Sequence, residues 1–251
     1  MLSAKRALLL VFLMLCFASF PSIPSSASDL TEALKLRDVA QVRNLLASGA
    51  DANEKVRGDY PLNIAATYGP AEMVTILLEA GADLEQAGRD GLYPLHNAVT
   101  MGHKDIVALL IKKGAVVDAK ESKGRTPLVS FATTNGSDIE IARMLLAAGA
   151  DPEIESAPDD DNSTALENAA YTGNLELAKV LIAAHADVNH RNLWGWSALH
   201  LAVQHARFEI VRLLIAHGAD VNLANNLGKT PISLAPNDAA MKELLIEAGA
   251  K

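Results

Sequence analysis

From about residue 60 onward the chain alternates between two kinds of apolar segment. One carries large aliphatic side chains at helical spacing: Val74, Leu77 and Leu78; Ile106, Leu109 and Leu110; Val180 and Leu181; Ile210, Leu213 and Leu214. The other is rich in alanine, at Ala65 and Ala66, Ala98, Ala132, Ala169 and Ala170, and Ala202. Small residues let neighbouring helix backbones approach closely, so the pattern predicts helix pairs in which a small-residue helix precedes an amphipathic one. Pro61, Pro94, Pro127 and Pro231 head the first helices. At that position an N–H has no intrahelical partner, and the fixed φ of proline starts a helix at no hydrogen-bond loss. Gly49, Gly81, Gly114, Gly149, Gly218 and Gly249 follow the second helices, where a left-handed stop is least costly without a β-carbon.

The pairs recur in phase. Gly-Ala-Asp stands at residues 49, 81, 149 and 218, with weaker copies at 114, 185 and 249. A second signature starts at Tyr60, Tyr93, Thr126, Thr164, Ser197 and Thr230, at intervals of 33, 33, 38, 33 and 33 residues. No unit of that size buries its apolar face alone, so stacking must supply the core. In these two markers the chain resembles the ankyrin repeat family, whose unit is a turn followed by two antiparallel helices and whose marker is Thr-Pro-Leu-His. The resemblance covers essentially all of the chain after residue 28. It implies an all-α ankyrin solenoid of stacked helix-turn-helix units with β-hairpin-like turns: an N-terminal cap at 29–57, five full repeats at 58–227 and a C-terminal cap at 228–251.

Departures from that pattern are local. Tyr60 and Tyr93 replace the family's Thr, which removes a hydroxyl from the turn, and His185 occupies a glycine slot. The fourth unit is longer, with extra residues near Asn135-Gly136-Ser137 and in the run from Ala157 to Asp161; both read as loop insertions.

The first 28 residues do not fit the repeat. Lys5 and Arg6 precede an uncharged stretch from Ala7 to Phe20 and a Pro/Ser/Ala tail, the layout of a secretory signal peptide cleaved best after Ser28, with the bond after Ala27 as the alternative. The apolar run is shorter than the roughly 20 residues that span a bilayer. Removing it takes away two cations and Cys16, the one cysteine, and moves the net charge from −8 to −10. An acidic chain lacks the basic surface that nucleic-acid binding requires. A chain without cysteine has no disulfide and no thiolate zinc site.

Aromatics make up 4% of the residues, which leaves the core to Leu, Ile, Val and Ala. That scarcity makes the placement of the few aromatics informative. In the family, contacts to partners come from the turn tips and from the ends of the first helices. The resemblance puts Arg57, Arg89, Asp90, Lys123, Arg125, Asp160, Asp161, Trp194 and Trp196 at tips. It puts Tyr68, Met101, Tyr171, Gln204 and His205 at helix ends. Trp is enriched among residues that dominate interface energies, so Trp194 and Trp196 are expected to stand exposed as a contact pair. The basic tips come early along the face and Asp160 and Asp161 later, a layout suited to a partner with an acidic and a basic end.

His96 and His200 fill the structural fourth position of the marker, and no zinc-helix, nucleophile-elbow or phosphate-loop motif is present. The expectation is a non-catalytic module without cofactor or metal. It binds a partner protein through a concave face, is monomeric, binds no nucleic acid, has no stable membrane insertion after signal cleavage, and is exported to a bacterial periplasm or secreted. An immunity or inhibitor protein against a toxin or enzyme, or an accessory of a periplasmic enzyme, has the same sequence features. A catalytic alternative requires His190, His205 and the 159–161 loop to converge. Deleting residues 1–28 is expected to retain the protein in the cytosol; its recovery in the exported fraction would refute the signal assignment.

Overall fold

The computed structural model describes residues 27–134, 136, 138–235 and 238–251. The charged start, apolar run and Cys16 of the expected signal peptide lie outside the described residues, as do Asn135 and Ser137 of the first expected insertion. Among the described residues no helix is long and apolar enough to cross a membrane.

Among the described residues seven helix pairs follow one another: α1 (Ala27–Lys35) and α2 (Val39–Ala47), α3 (Pro61–Tyr68) and α4 (Ala71–Glu79), α5 (Pro94–Thr100) and α6 (Lys104–Lys112), α7 (Pro127–Thr133) and α8 (Ile139–Ala147), α9 (Ala165–Thr172) and α10 (Leu175–Ala183), α11 (Ala198–Gln204) and α12 (Phe208–Ala216), α13 (Pro231–Leu234) and α14 (Ala239–Glu247). The first helices of successive pairs pack in one row from α1 to α13, and the second helices from α2 to α12 in another. The first buried side chain of α1 is Leu30, so a cut after Ser28 leaves every described buried residue in place.

Packing follows the pattern read along the chain. The alanines of the inner row, Ala65 and Ala66, Ala98, Ala132, Ala169 and Ala170, and Ala202, have no exposed surface. Val74, Leu77, Ile106, Leu110, Leu181, Ile210 and Leu214 of the outer row are buried with them, and Leu78, Leu109 and Leu213 are half-buried against the same core. Phe131 is the one aromatic among the largest fully buried side chains.

Caps differ from repeat to repeat as the tyrosines require. Thr126 accepts from the Val129 N–H, and Thr164 with Glu167 and Ser197 with His200 form capping boxes, whereas Tyr60 and Tyr93 give no side-chain cap. Such a cap is worth about 1 kcal/mol. His185, in the glycine slot, takes a φ of 67°, a left-handed conformation that His adopts more readily than bulkier side chains.

The turns contain no strands among the described residues, only an isolated bridge between Val56 and Asp59. The hairpin-like turns close through a few backbone bonds, such as Asn192 N–H to Trp196 C=O at 2.9 Å and Gly195 N–H to Asn192 C=O at 2.8 Å. Behind them the Asp of Gly-Ala-Asp has a defined task. The carboxylates of Asp51, Asp83, Asp151, Asp187 and Asp220 each accept the N–H two residues on, the local turn that Asp favours.

The residue so presented reaches the next repeat. Asn189 donates from Nδ2 to Gly218 C=O at 3.1 Å and accepts the Asp220 N–H at 2.8 Å; Asn53 and Asn222 do the same one repeat boundary at a time. Asn189→Ala removes both bonds at one boundary and is expected to cost about 1–2 kcal/mol, read as a lower urea midpoint. An unchanged midpoint would mean that stacking alone couples the two repeats.

Candidate binding groove

Turn tips and first-helix ends face each other across a groove with separate cavities along it. Near the N-terminal end, Asp59, Arg89 and Asp90 from the tips and Asn63 and Tyr68 from α3 enclose about 260 Å³. In the next stretch Asp90, Lys123 and Arg125 face Thr100, Thr133 and Thr134 around about 250 Å³. Farther on, Asp160 and Asp161 face Glu167, Asn168 and Tyr171 around about 260 Å³. Successive tips are fixed by backbone bonds from Ser122 N–H to Asp90 C=O, Ala157 N–H to Lys123 C=O, Leu193 N–H to Asp161 C=O and Asn226 N–H to Trp194 C=O. Gly195 adopts a φ of 74°, and a β-carbon there would collide with Arg191 and Asn226, so this tip accepts only glycine.

The residues expected to make contacts fall into distinct settings. Tyr68, Met101, Tyr171 and Trp194 are about half exposed, and Arg57, Arg89, Asp90, Lys123, Asp161 and Gln204 are also exposed. Met101 lines a smaller cavity with Phe131 and Thr134. His205 is half-buried, its ring in edge-to-face contact with Tyr171 at 4.5 Å between centroids.

Two expectations need correction. Trp196 does not stand exposed beside Trp194: it directly precedes the Ser197 cap, and its half-buried ring lies 5.9 Å from that of His200. The charges do not form two free poles either. Arg125 makes a bidentate ion pair with Asp160 across the repeat boundary, both partly buried. Arg89 leans back onto Asp59 and the Arg57 carbonyl. Trp194 Nε1–H donates to Asp161 Oδ1 at 2.7 Å, which ties the exposed indole to the neighbouring tip.

Under the groove, the fourth residue of each marker decides how repeats are joined. His200 and His96 donate from Nε2 to the carbonyls of Lys229 and Arg125, both at 3.0 Å. Burial holds both rings below the usual histidine range and keeps them neutral. His200 Nδ1 lies 2.9 Å from the Ser197 hydroxyl, whereas His96 Nδ1 is buried without a partner because Tyr93 supplies no hydroxyl there. Asn63 donates to Leu92 C=O at 2.8 Å in the same way.

In the fourth repeat the position is Glu167, a buried carboxylate that has no proton to donate. His190 of the following turn meets it instead, with Nδ1 3.2 Å from Glu167 Oε2 and Nε2 3.0 Å from Glu155 Oε1. The bond to Glu167, with help from Glu155, outweighs burial and pushes His190 up to about 9. Burial raises the Glu167 carboxyl above its usual range. Sequence reading named His190 only as a catalytic alternative and missed both glutamates. The missed signal was an acceptor-only residue where other repeats have a donor. His190 faces the two glutamates, His205 packs on Tyr171, and Asp160 and Asp161 are held by Arg125 and Trp194. Among the described residues, no three His, Cys, Asp or Glu side chains form a metal-binding group.

A stacked row of helix pairs with hairpin-like tips defines a repeat solenoid. The family model for ankyrin repeats in three copies matches residues 30–121, 82–156, 118–192 and 166–251; the chain belongs to the ankyrin repeat family. The fold is similar to the crystal structure of the human ASB11 ankyrin repeat domain, with a TM-score of 0.79 at 25% identity, covering 88% of this chain and 98% of that one. It is also similar to the ankyrin repeat domain of Bcl-3, with a TM-score of 0.76 at 24% identity over 87% of this chain and 97% of that one. Shorter stretches are similar to the E3 ubiquitin-protein ligase KEG of Arabidopsis thaliana, 41% identical over 26% of this chain, and to the human Notch-regulated ankyrin repeat-containing protein, 48% identical over 17%. These matches span only 4% and 37% of those two proteins. Ankyrin repeats are generally protein–protein interaction modules and typically non-catalytic scaffolds.

The pH dependence of stability carries the signature of the His190 network. In the unfolded chain His190 loses its proton near 6.5, in the folded chain only near 9, so its stabilisation is complete below 6.5 and is lost as pH rises through 9. His96 and His200 act oppositely, costing stability as pH falls below 6.5 because the unfolded chain takes up their protons first. Urea midpoints are expected to decline on both sides, and His190→Gln to flatten only the alkaline limb. An unaltered alkaline limb in that variant would show that His190 is not clamped in solution.

Proposed function

We propose that this chain is an exported ankyrin repeat protein that holds a partner protein in the groove between its turn tips and first helices, without catalysis or a cofactor of its own. The observation that carries this reading is the placement of Tyr68, Tyr171 and Trp194. They are 48%, 53% and 56% exposed along one groove, while the large residues of the core are almost all aliphatic. Large aromatic surfaces left in water at a concave site are the usual anchors of binding energy. The amino-terminal layout of charge, apolar run and small-residue tail supports export, with the bacterial periplasm as the compartment.

The test compares affinity capture from the native extract by the tagged protein and by a Tyr68→Ala/Tyr171→Ala/Trp194→Ala variant. A specifically retained protein is expected to fall at least about tenfold with the variant, while the thermal midpoint shifts by only a few degrees because none of the three rings lies in the core. Equal retention by both proteins would reject the groove as the binding surface.

A further inference from the structure

We infer that the cavity between the fourth and fifth repeats takes an arginine side chain presented by the partner protein; this rests on the interaction reading above and specifies its chemistry. The lining is acidic and amide-rich, with Asp160, Asp161, Glu167, Asn168 and Asn192 around it and the exposed Tyr171 at its edge. No cation is among the lining residues. Around and behind it stand four acids, Glu155, Asp160, Asp161 and Glu167, of which Asp160 pairs with Arg125 and both glutamates with His190, while the Arg207 guanidinium reaches the Tyr171 carbonyl at 3.4 Å.

Acidity alone would not single out a ligand, but Glu167 adds an independent observation. The residue is 1% exposed, and its two carboxylate oxygens are used unequally. Oε2 accepts from the Thr164 N–H at 2.8 Å and from the Thr164 hydroxyl at 3.3 Å, and is ion-paired with His190 Nδ1 at 3.2 Å without hydrogen-bond alignment. Oε1 is buried and has no hydrogen-bond partner. An unpaired buried carboxylate oxygen carries a desolvation cost that a charged donor removes.

A guanidinium suits the cavity better than other cations for three reasons. It carries several N–H donors in one plane, so it can serve Glu167 at the floor and Asp161 at the rim together. It is more weakly hydrated than an ammonium and stacks on aromatic rings, which Tyr171 offers. A divalent metal would need more side-chain ligands than converge here. The volume of about 260 Å³ is that of a side-chain pocket rather than of a cofactor site.

Trp194 provides the readout, since its indole N–H is bonded to Asp161. In a Trp196→Phe background it is the sole tryptophan of the chain. Its fluorescence is followed while acetyl-Gly-Arg-Gly-amide is added to the purified protein, with the norleucine tripeptide and calcium chloride as separate arms. A saturable change with the arginine peptide and none with norleucine is expected. Asp161→Asn and Glu167→Gln are each expected to weaken it about tenfold, with thermal midpoints recorded for both. Asp161 lies on an exposed tip, so Asp161→Asn keeps the test valid even where Glu167→Gln disturbs the fold.

Equal responses to the two peptides, no response to either, or an arginine response untouched by Asp161→Asn would overturn the inference. So would a calcium response lost in Asp161→Asn without any arginine response, which would mark a cation site. A captured partner retained equally by Asp161→Asn sinks this inference and leaves the interaction reading standing. Saturable arginine binding with no captured partner supports the pocket and counts against that reading.

Discussion

Close stacking of alanine-lined first helices is the interaction on which everything else in this protein depends. A single helix pair exposes an apolar face on both sides and has no core of its own. Ala65, Ala98, Ala132, Ala169 and Ala202, all fully buried, let α3, α5, α7, α9 and α11 approach closely enough for that face to close. The same approach sets the spacing of the turns and so allows each tip to hydrogen-bond to the next. The groove is a by-product of this geometry: short inner helices on one wall, projecting tips on the other.

Polar coupling across the repeat boundaries is less uniform than the packing, and that unevenness gives the groove its chemistry. At three boundaries a neutral donor, Asn63, His96 or His200, reaches a carbonyl of the next turn. Val129 offers no donor, and there the Arg125–Asp160 pair spans the boundary instead. Glu167 offers only acceptors, so His190 is drawn in and held charged. A buried ion pair of this kind is weak evidence for stability, because desolvation offsets much of the attraction. Its cost at Glu167, with one oxygen bonded twice by Thr164 and ion-paired to His190 and the other without a hydrogen bond, is easier to understand as part of a site than as a brace.

The aromatics tell a parallel story. Phe131 is core, Trp196 is drawn onto the cap it precedes, and Tyr93 occupies a cap position where it leaves His96 short of a partner. Tyr68, Tyr171 and Trp194 remain in solvent along the groove. Trp194 is nevertheless positioned, through its bond to Asp161, and His205 braces Tyr171. Rings fixed before binding lose less freedom on binding, which favours their use as anchors.

Periodicity made the fold legible in the chain itself. The 33-residue interval, the prolines at helix starts and the alanine and leucine rows dictate helix pairs that must stack, because local geometry and burial repeat with the sequence. Even the caps could be read, since a missing hydroxyl at Tyr60 or Tyr93 is a one-residue fact. The groove was legible only as two sets of positions. That Arg125 and Asp160 neutralise each other, and that Glu155, His190 and Glu167 meet, depended on contacts between residues 23 to 35 positions apart, and that Trp196 turns inward onto His200 is not marked by its spacing. One-dimensional spacing says which residues share a face. Which of them pair, and so which charge and which ring remain for a partner, is decided only when neighbouring repeats are brought to contact distance.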